Sequence, residues 1–174
     1  MICIFLQVFS AIFSGIMEAL AISNEISPLG SPFLGLFCLI PIYTALYKAK
    51  NYRESFFLFF LQVLTVHLIS SIWLKNFHGY AAFTLGASAA GTAFEGGVCG
   101  LIFHALPHSL NKTKIKFEEN GGKHSWLIPL RIFYFSSVWV FWEWTKSTGA
   151  MGYPWGTLFL AASKWKLFTQ IASL

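Results

Sequence analysis

With 174 residues, 56% of them hydrophobic, only 11% charged and a mean hydropathy of +0.61, the chain does not read as a water-soluble domain, since such domains carry about 25% charged residues. The net charge of +5 does not point to nucleic acid, because most basic residues lie in short segments between apolar runs, as topology determinants do. Cys3, Cys38 and Cys99 all fall within apolar runs, an odd count that argues against a disulfide framework and for packing.

The recurrent apolar runs predict an all-α, polytopic membrane helical bundle of about five transmembrane helices plus the start of a sixth. Residues 2–22 form the first span. They lack a preceding positive segment and carry Glu18, which favours a retained helix over a cleaved signal peptide. Asn24, Pro28, Gly30 and Pro32 mark a turn. The second span, 33–47, is short and is expected to kink at Pro41. A basic loop with Lys48, Lys50 and Arg53 leads to the third span, 55–74, closed by an interfacial Trp73. The fourth runs over 80–106, with Pro107 ending it, and 111–125 reads as a polar loop with a turn at Gly121-Gly122. The fifth is 126–144. After a 145–155 turn come a brief apolar stretch, 156–162, and a sixth span from about residue 167.

If every span crosses, the 48–54 and 107–125 loops share one side. They hold seven Lys/Arg (Lys48, Lys50, Arg53, Lys112, Lys114, Lys116, Lys123), against at most four (Lys75, Lys146, Lys164, Lys166) opposite. The richer side is expected to be cytoplasmic, with a cytoplasmic N-terminus and the 153–155 turn outside.

Glu18, His67, Glu95, His104 and Arg131 fall within or beside the apolar runs. Ionisable groups there are costly and mark function or interhelical pairing. Arg131, about one turn past Leu127, can snorkel to the cytoplasmic surface. His104 and His108 have a metal-binding spacing, but Pro107 interrupts it and no third ligand follows, so no metal site and no cofactor are expected. Thr92, Gly96 and Gly100 share one helical face and predict close helix packing.

The richest stretch is Glu143-Trp144-Thr145-Lys146 followed by Gly152-Tyr153-Pro154-Trp155-Gly156. Glu143 and Lys146 are three apart and face one side of a helix end. Trp139, Trp142 and Trp144 can anchor at the membrane boundary, Gly149 and Gly152 permit sharp turning, and Pro154 fixes the chain between two aromatics. A rigid aromatic turn at that level could hold an acyl chain or a peptide.

These residues resemble the E-W-x-R…G-[FY]-P-W signature of the apolipoprotein N-acyltransferases. Leu39-Ile40-Pro41-Ile42-Tyr43, Trp73 with Phe77-His78-Gly79, and Thr169-Gln170-Ile171-Ala172 extend the likeness more weakly over nearly the whole chain. Lys146 stands where the family has Arg, keeping the charge and losing the bidentate fork. Glu95 has no family counterpart.

The resemblance implies that residues 1–174 are the N-terminal transmembrane domain, as a fragment or truncated product, of a bacterial inner-membrane enzyme. Its nitrilase-like catalytic domain, with a Glu-Lys-Cys triad, would be supplied in cis or in trans. The family takes an acyl chain from a phospholipid donor and passes it to the diacylglyceryl cysteine of a lipoprotein acceptor. No catalytic residue carries over, because Cys3, Cys38 and Cys99 lie in helices ahead of that domain, and the chain alone is expected to be inactive. Glu143, Trp144, Lys146, Tyr153, Pro154, Trp155 and Trp73 are implied as a lipid-contacting rim. The rival readings are a small transporter using Glu18, Glu95 and His67 as a polar path, and a non-catalytic assembly subunit docking a partner through the Thr92/Gly96/Gly100 face.

Overall fold

The computed structural model describes residues 2–76, 80–118, 127–148, 155–161, 163, 165 and 170. They form six α-helices, α1 (Ile2–Ala21), α2 (Pro32–Phe37), α3 (Leu39–Tyr47), α4 (Tyr52–Ser70), α5 (Ala81–Glu118) and α6 (Leu127–Thr148), with short 3-10 turns at Ile72–Asn76 and Leu158–Ala161 and no strand among the described residues. Three helices are long and apolar enough to cross a membrane, through 4–21, 52–70 and 83–105. The expected all-α membrane bundle is therefore the observed fold. The predicted sixth span, and the turns at residues 77–79, 121–122 and 149–154, fall outside the described residues.

The chain leaves α1 through a turn organised by Asn24. Its amide donates to the Ala19 carbonyl at 2.5 Å, while its Oδ1 accepts from the backbone N–H groups of Ile26 and Ser27. Gly30 adopts φ +63, which a side chain would oppose. Ser31 then caps α2, with Pro32 in the first turn, where its missing N–H is harmless.

The kink expected from Pro41 falls at Cys38, where the second span is interrupted between α2 and α3. A proline ring collides with the carbonyl four residues earlier, here that of Phe37, so the interruption falls upstream of the proline itself. Ser14 on α1 donates to the Cys38 carbonyl at 2.5 Å, so the break is satisfied inside the bundle.

The membrane-crossing stretch of α5 ends at residue 105, just before Pro107 as expected, but the helix itself continues to Glu118, taking up the first part of the expected polar loop. Proline is tolerated in a membrane helix where neighbouring groups satisfy the freed backbone. Near this point the Tyr134 hydroxyl of α6 donates to the Ile102 carbonyl at 2.6 Å.

The helices meet most extensively between α4 and α5. A Cβ on Gly96 would lie 2.6 Å from Val63, and one on Gly100 2.6 Å from the Ser55 carbonyl oxygen. Ser55 donates to the Gly100 carbonyl at 2.9 Å, and Thr92 is buried on the same side. The small-residue face is thus spent inside the chain, which removes the surface that the assembly-subunit reading required. An aromatic core of Phe59, Phe103, Phe135, Trp139 and Trp142 joins α4, α5 and α6.

Candidate functional site

The C-terminal turns of α1, α4 and α6 converge at one end of the bundle, bringing Glu18, His67, Ser70, Glu143 and Lys146 into one neighbourhood. Helix C-termini carry partial negative charge and favour a cation. Lys146 supplies it, with its side chain at 0% exposure. Its Nζ lies 3.5 Å from Glu143 Oε2, 4.3 Å above the Trp142 ring, and donates to the Gly156 carbonyl at 3.2 Å. Glu143 accepts from the Leu158 backbone N–H at 3.3 Å. The pair expected from its three-residue spacing therefore clamps the 155–158 segment onto the bundle.

Gly156 makes that clamp possible. It adopts φ +73, and an added Cβ would come within 3.0 Å of the His67 ring and 3.1 Å of Ser70 Oγ. The tight seating places Trp155 beside Trp73, ring centroids 5.9 Å apart and edge-on. Two predicted rim residues, distant in sequence, thus form one aromatic corner. Trp144 does not join them: it is 60% exposed, leans on Phe141, and lines an outward groove with Phe133 and Val140. Tyr153 and Pro154 lie outside the described residues.

Beside the clamp, α2, α6 and the Leu158–Ala161 turn enclose a cleft of about 400 Å³. Its walls are apolar, including Leu36, Val140, Leu158 and Phe159, with Glu143 as the ionisable lining residue. The arrangement can take an aliphatic chain from the side while a polar group stays near the charged end.

Deeper in, Gln62 donates to Glu18 Oε2 at 2.5 Å, both fully buried. Sequence reasoning singled out Glu18, Glu95 and His67 but missed Gln62 and Ser70, which look like ordinary polar residues in an apolar run. The signal for Gln62 was its place in a span, where an amide needs a partner. Arg131 does not snorkel out to solvent. It is 8% exposed and donates to the Tyr47 hydroxyl at 2.6 Å. His104 packs edge-on against Tyr52, ring centroids 4.7 Å apart.

Fold and site together define a polytopic helical membrane protein with a charged clamp and an aromatic corner at one end. Residues 5–174 match the apolipoprotein N-acyltransferase N-terminal domain. The chain belongs to that family. It is 37% identical over 161 residues to apolipoprotein N-acyltransferase 2 of Treponema pallidum, covering 92% of this chain and 26% of the relative. It is 35% identical over 170 residues to apolipoprotein N-acyltransferase 2 of Treponema denticola, covering 98% and 29%. With the apolipoprotein N-acyltransferase of Borreliella burgdorferi it shares 24% identity over 164 residues, covering 94% and 28%. The chain therefore spans less than a third of the length of these relatives. No solved structure matches it.

Proposed function

We propose that these residues are the membrane domain of an acyltransferase that moves an acyl chain from phospholipid to the N-terminal diacylglyceryl-cysteine of lipoproteins. Their role is to admit lipid sideways from the bilayer to a nitrilase-like catalytic domain at the outer face of the bacterial inner membrane. The observation that carries this is the Trp73–Trp155 corner, locked by Glu143 and Lys146 next to an apolar cleft. A cleft of that size suits an alkyl chain, and aromatic rings at its end suit the headgroup level. Catalysis would reside in the catalytic domain, since Cys38 and Cys99 are buried in the helical bundle and offer no accessible thiol. Tyr153 and Pro154 are proposed to continue the same rim, and Trp144 to contact lipid on its own outward groove.

The test is N-acylation of a diacylglyceryl peptide. The 174-residue chain alone should transfer no acyl group. In an enzyme carrying the catalytic domain, Trp155→Ala should lower the rate about tenfold, the worth of one aromatic contact of ~1.4 kcal/mol. An unchanged rate would remove the corner from the lipid path. Orientation is tested separately. With the native cysteines replaced, Thr148→Cys at the exposed end of α6 should react with an impermeant thiol reagent added outside spheroplasts. Protection there, with labelling only after lysis, would put the clamp on the cytoplasmic side.

A further inference from the structure

Two of the membrane-crossing helices bury a polar side chain at the same place. Glu18 lies on α1, within the 4–21 span, and Gln62 on α4, within the 52–70 span, and both are 0% exposed. The two backbones are in close contact here: a Cβ on Gly15, one turn before Glu18, would lie 2.7 Å from the Gln62 main-chain carbonyl oxygen. The Gln62 amide donates to Glu18 Oε2 at 2.5 Å. The second oxygen of each side chain, Glu18 Oε1 and Gln62 Oε1, accepts no hydrogen bond.

With Glu18 as a carboxylate the pair has two deficits. A full negative charge is enclosed between membrane helices, and a buried amide oxygen has no donor. Both are costly where water is excluded. One proton on Glu18 Oε1 removes both. The side chain becomes a neutral acid, its O–H donates to Gln62 Oε1, and acid and amide close a ring of two hydrogen bonds. Neighbouring donors are spent elsewhere. Ser14 donates to the Cys38 carbonyl, the Cys38 thiol to the Gly35 carbonyl, and Thr65 to the Leu61 carbonyl. On α6, Lys146 is held by Glu143 at 3.5 Å and by the Gly156 carbonyl at 3.2 Å. His67, on α4, has its ring against Gly156.

We propose that Glu18 is a proton-binding site, a neutral carboxylic acid paired with Gln62 that ties α1 to α4 without bringing a second negative charge to the Lys146 end of the bundle. Glu18 is then a positioning residue, and Glu143 is left as the carboxylate that balances Lys146. The competing occupant is a water donating to both free oxygens. It would supply the donors and leave the buried charge in place, whereas the proton removes the charge as well.

The experiment is infrared spectroscopy of the full 174-residue chain in detergent at neutral pH. A protonated carboxyl has a C=O stretch well separated from the carboxylate bands. The chain holds seven acidic residues, so the readout is the parent spectrum minus that of a variant. The acid band should be present in the parent, disappear in Glu18→Gln and persist in Glu25→Gln, which alters an exposed carboxylate. Glu18→Gln should also unfold at the parent's temperature, because an amide reproduces the shape and two-point pairing of the neutral acid. If Glu18→Gln does not fold, Gln62→Leu decides: the acid band should move to higher frequency as its C=O loses the amide N–H. A parent without the band, which is the result that a bridging water predicts, would overturn the proposal. So would a band that survives Glu18→Gln, or one that Gln62→Leu leaves unmoved.

Discussion

Replacing Lys146 with Met should destabilise the folded bundle by about 3–5 kcal/mol, the usual result of removing one partner of a buried ion pair. Methionine preserves chain length and contact with Trp142 but removes the charge. Glu143 would keep the Leu158 N–H but lose its cation, and the Gly156 carbonyl would lose the Lys146 Nζ donor. Thermal unfolding in detergent measures the loss. The double variant Lys146→Met with Glu143→Leu should recover part of it, because two apolar groups leave no stranded charge. A single variant as stable as the parent would show that Lys146 does not hold the clamp.

The charges and the fold around this clamp were unequally legible in the amino-acid sequence. Glu143 and Lys146 declared themselves because a helix puts residues three apart on one face, whatever surrounds it. Gly96 and Gly100 did so for the same reason, and both lie tight against α4. Local periodicity cannot say what a side chain meets across the bundle. The Trp73–Trp155 contact joins residues on separate segments and depends on how 155–158 folds back. Arg131 follows the same logic: its length permits snorkelling, but the packing of α3 offers it Tyr47 instead. The two prolines act within a turn of their own positions, but differently. The helix is interrupted at Cys38, one turn before Pro41, and the Cys38 carbonyl accepts from Ser14 on α1. The membrane-crossing stretch ends at residue 105, just before Pro107, while the helix runs on to Glu118. In both places the outcome depends on neighbouring helices, which propensity does not contain.

The polar interior separates the acyltransferase reading from the transporter reading on geometry. A polar path needs groups spaced along the bundle from one face to the other. Here Glu18, His67, Ser70, Glu143 and Lys146 gather toward the C-terminal ends of three helices, Gln62 lies midway along α4 and Glu95 midway along the 83–105 span, while the middle of α6 is packed with Phe135, Val138 and Trp139. The Glu143–Lys146 pair, under a clamped aromatic corner, sets that end of the bundle.

Gly156→Ala should lower stability by about 2–4 kcal/mol, from the cost of a side chain at positive φ together with overpacking. The new methyl group would sit 3.0 Å from His67 Cε1 and 3.1 Å from Ser70 Oγ, and His67 is 1% exposed with little room to retreat. The 155–158 segment must lift instead, drawing Trp155 off Trp73 and the Gly156 carbonyl off Lys146. Besides the loss of stability, tryptophan emission should become more open to an aqueous quencher as the corner separates. Gly86 supplies the control, since a Cβ there meets nothing within 4 Å and the residue lies in α5. Gly86→Ala should therefore stabilise the helix by up to about 1 kcal/mol through backbone entropy alone. The same substitution is thus expected to act with opposite sign at the two positions. If Gly156→Ala were as benign as Gly86→Ala, the close seating of the 155–158 segment against α4 could not be what positions the aromatic corner.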